Sequence, residues 1–334
     1  MDFQILKQLC LTPSPSGYED KLIKYICALK LKNFTLSKSK VNSCTLSSKT
    51  KLDKTVLLDS HIDQVHLRVI RNDKSGYVVA KPLGFKSSVL FGNIIQDLSG
   101  EYTGVVSTLP PHLRIDKTTK DTKNDVCYID FGMKKKELDK IFYPGDPLIY
   151  NLHFTPIGQN YISACALDNK ACVFIMIELL KYFDDNIDKL NHNIIFHFSS
   201  REEVGLGSFS DIDTKNIDNI FVLDTPIGSD SPLISPDLIG DISLSNGVVI
   251  TRNIDDNISL GNKLIEIAEK NKIKYQREFS YGKGGTNNMH YSKFNSAFSQ
   301  ALGPPVRNMH SPAEVVNKND IRATFKLMKI FLSK

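Results

Sequence analysis

The sequence predicts an α/β protein in which a small β-rich module is inserted into a larger domain. Its length of 334 residues exceeds what one hydrophobic core usually holds, so two domains are expected. Across residues 67–160, short β-rich runs alternate with turns that contain glycine and proline, which is typical of a small barrel or sandwich. Outside that stretch, apolar strands alternate with helices, which predicts a layered sheet with functional groups at strand ends. The larger domain would then be discontinuous, formed by residues 1–66 and 161–334.

The first part of the larger domain begins with two predicted helices. Residues 3–10 and 19–32 have the apolar spacing of amphipathic helices, and a Pro-Ser-Pro-Ser-Gly segment separates them. Residues 55–58 are a short apolar run that predicts a buried strand. His61 and Asp63 follow immediately beyond it, where a strand end would present them to a site.

The remaining elements continue this division. Strands in the inserted module are predicted at residues 77–80, 105–107 and 126–131. After the module, residues 171–180 form a nearly all-apolar helix with Asp168 close to its N-terminus. The alternation then continues with strands at 194–198 and 220–223 and helices at 258–270 and 319–332.

Composition argues against several functional classes. Lys and Arg number 42 against 37 Asp and Glu, and this net charge of +5 is too small to indicate nucleic-acid binding. No apolar stretch approaches the ~20 residues that a membrane span needs, and the N-terminus lacks the core of a signal peptide. The six cysteines form no C-x-x-C pair, which indicates reduced and mostly buried thiols. A soluble, cytoplasmic protein is therefore expected.

Glu202 and Glu203 are the most specific chemical feature, because they directly follow an apolar run that predicts a buried strand. In an extended chain, consecutive side chains point to opposite sides. One carboxylate would then face a metal ion while its neighbour faces the water that the ion holds. Adjacent like charges are costly unless cations neutralise them or one takes a proton, which also favours a metal beside Glu203 and a general base at Glu202.

Five other residues are weak candidates individually. The His61-x-Asp63 pair is common by chance, although Asp63 could orient a metal-binding His61 as an outer partner. Asp168 is equally well explained as a helix N-cap, Asp224 as a turn residue and His310 as a loop histidine. Considered together, each of these residues lies at a strand or loop terminus of an α/β chain. Such a set suits two divalent metals that share one bridging group and one nucleophilic water, so the sequence predicts a metal-dependent hydrolase.

Other local patterns are less informative. The Gly-Lys-Gly-Gly-Thr segment at residues 282–286 lacks the phosphate-loop pattern and favours a close approach of backbone to substrate. Of the histidines without an assigned partner, His66 and His290 are the two expected to line a pocket. A serine or cysteine nucleophile is disfavoured, because Ser-x-Gly elbows are absent and no cysteine has a recognisable catalytic context.

With these residues identified, the chain resembles the dinuclear metalloaminopeptidases that include the glutamyl, deblocking and tetrahedral aminopeptidases. The resemblance runs nearly end to end. It is carried by Ser-Gly-Tyr-Glu at 16–19, Ser-His-Ile-Asp at 60–63, Leu-Pro-Pro-His at 109–112, Tyr-Ile-Asp-Phe-Gly at 128–132, Ala-Leu-Asp at 166–168, Glu-Glu-Val-Gly-Leu at 202–206, Gly-Gly-Thr at 284–286 and His-Ser-Pro-Ala-Glu-Val-Val at 310–316. The Glu-Glu-Val-Gly-Leu and His-Ser-Pro-x-Glu-Val-Val motifs are highly specific in this order and spacing.

The resemblance implies a set of roles for the site residues. One metal would be bound by His61, Asp168 and Asp224, and the other by Asp168, Glu203 and His310, with Asp168 bridging. Two residues would be catalytic: Asp63 would orient His61, and Glu202 would act as general base and later protonate the leaving amine. Zinc is the first expectation for both metals, with cobalt or manganese as alternatives.

The resemblance also implies an architecture and an activity. The larger domain would be a three-layer metallopeptidase domain around a mixed sheet, and the inserted module would be a PDZ-like small β-barrel used for dimerisation. Such dimers commonly build tetrahedral particles of twelve subunits in that family. The expected activity is release of N-terminal residues from short peptides, with no nucleic-acid or membrane partner.

Departures from the family pattern keep alternatives open. Asn287 stands where the family commonly has aspartate, His290 replaces a small residue, and Gln64 and His66 follow the His-x-Asp pair. These differences bear on substrate preference and turnover more than on metal binding. Hydrolysis of another amide, such as an N-acyl amino acid, and peptide binding without cleavage are the two alternatives. An acid pair for glycoside hydrolysis would need no metal, so loss of activity on chelation would distinguish a metal-dependent hydrolase from a glycosidase.

Overall fold

A computed structural model of the chain describes residues 1–110, 112, 125–208, 212–279, 285–294 and 298–334. Its helices are α1 Phe3–Cys10, α2 Asp20–Cys27, α3 Lys135–Leu138, α4 Leu167–Asp185, α5 Ile258–Lys270, α6 Asn288–Phe294 and α7 Lys318–Leu332. The strands fall into three groups, described below in the order in which they pair. Two sequence patterns, the Leu-Pro-Pro-His segment at 109–112 and the glycine-rich segment at 282–286, extend into residues outside these ranges.

An eight-stranded mixed sheet forms the centre of the larger domain. In spatial order its strands are β1 Phe34–Lys38, β2 Cys44–Ser48, β12 Asn193–Ser199, β3 Thr55–His61, β13 Asn219–Leu223, β16 Phe298–Gly303, β14 Val248–Thr251 and β15 Tyr275–Glu278. The four central strands are parallel, so their carboxyl ends meet at one edge of the sheet. Functional side chains at the ends of parallel strands are thereby brought together.

Helices cover both faces of this sheet to different extents. One face carries the largest hydrophobic cluster, in which α4 packs against α1 and α7. Helix α4 is buried on nearly all sides, which explains its almost continuous apolar sequence. The opposite face is covered by α6, which packs on β13 and β16 around Tyr291.

The inserted module is a closed six-stranded barrel. Its strands in spatial order are β4 His66–Asn72, β5 Tyr77–Leu83, β8 Cys127–Asp130, β7 Thr103–Val106, β6 Ile94–Gln96 and β9 Pro147–Tyr150. Every described pairing in it is antiparallel, and alternate residues fill a separate core. The predicted α/β class with an inserted β-barrel is therefore confirmed.

A second, four-stranded sheet follows the barrel. Its strands are β10 Phe154–Ile157, β11 Tyr161–Ala164, β18 Glu314–Asn317 and β17 Val306–Arg307. Strand β11 leads directly into α4, and the loop between β17 and β18 contains His310. This sheet therefore brings two distant parts of the sequence to the same place.

Several sequence expectations need correction at their edges. The second helix ends at Cys27, well before the predicted residue 32, and the strand predicted at 55–58 continues to His61. The hairpin of β1 and β2 was not predicted, because its residues alternate only weakly between buried and exposed. All six cysteines are unpaired and five of them are buried. Within the described ranges, every helix is too short or too polar to cross a membrane.

His66, at the start of the barrel, is held as a neutral imidazole. It is 1% exposed, and its Nε2 accepts a hydrogen bond from Nε of Arg68 at 3.0 Å. Burial, together with the positive charge of Arg68, lowers the pKa of His66 to about 4. The uncharged ring is thus required for both its packing and its hydrogen bond.

We expect His66 to make the protein less stable in mild acid. A depressed histidine pKa contributes stability that is complete above the unfolded value near 6.5 and is lost as pH falls toward 4. Between pH 7.5 and pH 5 this loss is about 2 kcal/mol in the free energy of unfolding. Denaturant unfolding of the wild type and of His66→Gln at both pH values measures it, since the variant lacks this titration. Equal pH dependence in the two proteins would contradict the assignment.

Candidate functional site

Six ionisable side chains converge at the edge of the large sheet and form what we call the acid–imidazole cluster. Its members are His61, Asp168, Glu202, Glu203, Asp224 and His310. His61 ends β3 and Asp224 follows β13, so adjacent parallel strands deliver them side by side. Sequence analysis had named all six, and the fold brings them together from residues 61 to 310.

Asp168 lies between the two imidazoles. Its Oδ1 is 3.3 Å from Nε2 of His61, and its Oδ2 is 3.2 Å from Nε2 of His310. A role for Asp168 only as a cap of helix α4 does not account for these contacts, because both of its carboxylate oxygens lie within 3.3 Å of an imidazole nitrogen. Each carboxylate oxygen of Asp168 therefore belongs to a different group of possible ligand atoms.

Those two groups have the composition of metal-binding sites. His61, Asp168 and Asp224 form one, and Asp168, Glu203 and His310 form the other, with the ligand atoms of each group within 4.8 Å of one another. Nε2 of His61 is 3.6 Å from Oδ1 of Asp224, and Nε2 of His310 is 3.2 Å from Oε2 of Glu203.

The spacing of these atoms fits a bound cation. A tetrahedral ion with bonds of about 2.0–2.2 Å to nitrogen and oxygen places its ligand atoms roughly 3.3–3.6 Å apart. The observed separations of 3.2–3.6 Å are within 0.1 Å of that range. In addition, Oε1 of Glu203 is buried and accepts no hydrogen bond from the described part of the chain, which is unfavourable unless a cation or water satisfies it. The residues present therefore suit a divalent metal at each group.

Glu202 and Glu203 diverge for a reason that differs from the sequence argument. They lie in a 3-10 turn at Glu202–Val204, which starts after Arg201 with φ of 62°, and not in an extended chain. The turn directs Glu203 toward His310 and leaves Oε2 of Glu202 4.0 Å from Nε2 of His61. The prediction that the two carboxylates separate was correct, but the assumed backbone conformation was wrong.

Asp63 fixes this turn relative to β3. Its Oδ1 and Oδ2 accept hydrogen bonds from the backbone N–H groups of Glu202 and Glu203 at 3.1 and 3.2 Å. Its Oδ2 also accepts the hydroxyl of Ser16 at 2.6 Å, and its Oδ1 is 3.4 Å from Nδ1 of His61. Burial alone would raise the pKa of Asp63, but His61 and these donors keep it below its usual value.

The electrostatics of the cluster follow from burial and from like charges at close range. Burial raises the pKa of Glu203 to about 7 and that of Glu202 well above its ordinary value. Burial acts in the opposite direction on the imidazoles, yet the neighbouring carboxylates raise the pKa of His61 well above normal and that of His310 to about 12. Protons thus compensate charges that cations would otherwise balance.

His310 is positioned from two directions that sequence reasoning missed. Its Nδ1 donates to the carbonyl oxygen of Gly84 at 2.8 Å, and its own carbonyl accepts the hydroxyl of Tyr150 at 2.9 Å. Both partners belong to the barrel module. Glu314, 1% exposed, accepts the N–H groups of His310 at 2.8 Å and of Asp168 at 3.0 Å. The motif at 310–316 contains Glu314, but no sequence pattern around Tyr150 or Gly84 indicates that they contact His310.

Asp224 depends on a close approach between strands. A Cβ at Gly303 would lie 1.8 Å from the carbonyl oxygen of Asp224, so only glycine fits at the end of β16. The side chain of Asp224 also accepts the N–H of Thr225 at 2.8 Å, as the turn interpretation expected. Its proximity to His61 shows that it does more than form a turn.

The cluster opens into a cavity of about 560 Å³, within the range of small-molecule sites. Of the two histidines expected to line a pocket, His290 does so and His66 does not, because His66 is buried in the barrel. Asn287 is also buried, and its Nδ2 donates to Oδ2 of Asp59 at 2.8 Å. Gln64 accepts from the buried ammonium of Lys170 at 2.7 Å. These departures from the family pattern therefore lie mostly behind the cavity wall.

Comparison with known proteins finds similarity to peptidases along nearly the whole chain. Residues 43–327 match the family described as M42 glutamyl aminopeptidase. The lysyl aminopeptidase of Pyrococcus furiosus is 27% identical over 347 aligned positions, which cover 99% of this chain and 97% of that protein.

Solved structures share the fold. An aminopeptidase from the archaeon Desulfurococcus kamchatkensis superposes with a TM-score of 0.87 at 23% identity, covering 99% of this chain and 94% of that one. The TET1 peptidase of Pyrococcus horikoshii, described as assembling into a tetrahedron or a large octahedral shell, gives 0.84 at 24% identity and covers 99% of each chain. Because the family match extends from β2 almost to the end of α7, we conclude that this enzyme is a peptidase and that the chain belongs to the M42 glutamyl aminopeptidase family.

Proposed function

We propose that this protein is a metal-dependent aminopeptidase that hydrolyses the N-terminal peptide bond of short peptides. The observation that carries the proposal is the position of Asp168, whose two oxygens face two different groups of ligand atoms. Membership of a peptidase family supports the reaction class. Hydrolysis of another amide and peptide binding without cleavage are treated below as outcomes of the tests.

In this proposal one metal is held by His61, Asp168 and Asp224, and the other by Asp168, Glu203 and His310. All donors are imidazole nitrogens or carboxylate oxygens, which suits zinc and also cobalt or manganese. Gly84 and Tyr150 fix the ring of His310 and its backbone, as outer partners of metal ligands commonly do.

When bound, the two ions would lower the pKa of a shared water and polarise the scissile carbonyl. Glu202 faces the same cavity and has no hydrogen bond to its own carboxylate among the described residues, so it is available as a base. It would take a proton from the attacking water and later donate one to the leaving amine. Asp63 would position both His61 and the turn that carries Glu202.

Preference for a free N-terminus would follow if the amine of the substrate binds one of the two metals. The four carboxylates of the cluster balance the charge of two divalent ions, so they add little attraction for an ammonium group once the metals are bound. The names of the family and of the lysyl relative cite an acidic and a basic residue, so the preferred side chain does not follow from membership.

Removal and return of metal tests the proposal directly. We expect chelated protein to release no chromophore from aminoacyl substrates, and zinc, cobalt or manganese to restore release with two ions bound per chain. Metal content measured by mass spectrometry accompanies each assay. Activity that survives complete chelation would contradict the mechanism. Two bound ions without cleavage of any aminoacyl substrate would favour another amide substrate or a binding function.

The role of Glu202 is tested by an isosteric change. Glu202→Gln is expected to lower kcat by roughly 10²–10⁴-fold, since the amide cannot accept the proton. Bound metal should stay near the wild-type amount, because Glu202 is not one of the proposed ligands. Glu266→Gln, the same change on the exposed side of α5, is the control and should keep full activity. Loss of both metals in Glu202→Gln would refute the assigned role.

We also propose that the chain forms a cytoplasmic homo-oligomer built from dimers through the barrel module at residues 67–160, with a dodecamer as the expected particle. The barrel exposes apolar side chains on neighbouring strands, among them Ile94 and Val105, which are 44% and 47% exposed. A solved relative with a TM-score of 0.83 is described as a dodecamer. Free thiols throughout the chain are typical of a reducing compartment.

Light scattering tests the assembly. The wild type is expected to have a mass that is a multiple of the 37.5 kDa chain. Ile94→Lys should shift the particle toward smaller species, because a charge replaces an apolar contact. Leu233→Lys, at a site that is 92% exposed and outside the barrel, is the control and should leave the mass unchanged. A monomeric wild type would contradict the proposal.

A further inference from the structure

A carboxylate outside the acid–imidazole cluster lies in the wall of the same cavity. Glu278 ends β15 and is 7% exposed. In the part of the chain that the structure describes, its carboxylate forms no hydrogen bond or ion pair. Buried carboxylates are normally paired, since burying an unpaired charge is costly. A buried acid with a purely structural role would be expected to pair with a donor or cation of the protein. A buried acid that binds a ligand would instead be left unpaired until the ligand supplies the donor or cation.

The sheet places Glu278 beyond the cluster. Strand β15 pairs with β14 so that Glu278 lies opposite Thr251, which also lines the cavity. The hydroxyl of Thr251 donates to the carbonyl of Ala301 on β16, and β16 in turn pairs with β13, which ends just before Asp224. Two strands, β16 and β14, therefore lie between β13, which precedes Asp224, and β15, which ends at Glu278.

The wall of this cavity is largely apolar. Ile227, Ile239, Met289 and Leu302 line the cavity, and none of its described lining residues is lysine or arginine. Burial lowers the pKa of His290, so this lining imidazole stays neutral. An apolar wall with a carboxylate beyond it is complementary to a long aliphatic side chain that ends in a cation.

Burial, with the charges of Asp256 and Asp224 adding to it, raises the pKa of Glu278 to about 7. Ionisation of Glu278 is therefore disfavoured while no cation is present. A positively charged substrate group would offset that cost, and a negatively charged one would increase it. The charge of the substrate side chain is consequently the property that Glu278 can distinguish.

We propose that Glu278 selects substrates whose N-terminal side chain is basic, lysine or arginine. This inference rests on the proposed aminopeptidase function and names its substrate class. The α-ammonium and the scissile bond would lie at the acid–imidazole cluster, while the side chain extends along the apolar wall to Glu278. N-terminal glutamate would be repelled.

The test compares kcat/KM for lysyl, norleucyl and glutamyl chromophores on metal-loaded protein. Norleucine has the aliphatic chain of lysine without its charge. We expect the wild type to prefer lysyl over norleucyl by about tenfold or more, with glutamyl poorest. Glu278→Gln should bring the lysyl-to-norleucyl ratio close to one, mainly through KM for the lysyl substrate, while norleucyl turnover is retained. Glu266→Gln should keep the wild-type ratio.

Binding of lysinamide and norleucinamide by calorimetry separates this inference from the proposed function. If neither chromophore is cleaved but lysinamide binds more tightly and loses that advantage in Glu278→Gln, the aminopeptidase proposal fails and the recognition by Glu278 stands. If norleucyl or glutamyl substrates are cleaved as well as lysyl ones, the aminopeptidase stands and the selectivity fails.

Discussion

The accumulation of negative charge in a buried space is the constraint on which the rest of this structure depends. Four carboxylates and two imidazoles share one end of the large sheet, and each carboxylate makes ionisation of its neighbours less favourable. Two further buried acids, Asp63 and Glu314, hold these groups in place by accepting hydrogen bonds from the backbone of cluster members. Backbone N–H groups bind Asp63 and Glu314, and the hydroxyl of Ser16 binds Asp63. The cluster is thus rigidly supported around positions that suit cations.

That support comes from every part of the fold. The large sheet supplies His61 and Asp224, the four-stranded sheet supplies Glu314, and the barrel contacts His310 through Gly84 and Tyr150. A module that is separate in sequence and in core packing therefore takes part in positioning the site. Its contribution is to fix one imidazole, and it adds no member to the cluster itself.

Much of this arrangement could be predicted from sequence, for physical reasons that differ between residues. His61 and Asp224 end apolar strands, so the general geometry of parallel sheets places them together. The 3-10 turn at Glu202–Val204 could not be predicted, because it depends on hydrogen bonds to Asp63, which is 139 residues earlier than Glu202. Tyr150 was missed because it acts through a hydrogen bond to the distant loop that contains His310. Glu278 was missed because its place in the cavity wall depends on the pairing of β15 with β14. Local patterns predict elements and strand ends, but they do not predict long-range partners.

The order of the cluster along the chain has a consequence for protein synthesis. His61 is synthesised early, the barrel follows, and His310 with its partner Glu314 is added well after both. Domains generally fold as units while the ribosome is still adding residues. A barrel that folds in this way would present Gly84 and Tyr150 before His310 is added. A nascent chain that stops before residue 310 lacks that imidazole, so the cluster would be completed only after that point.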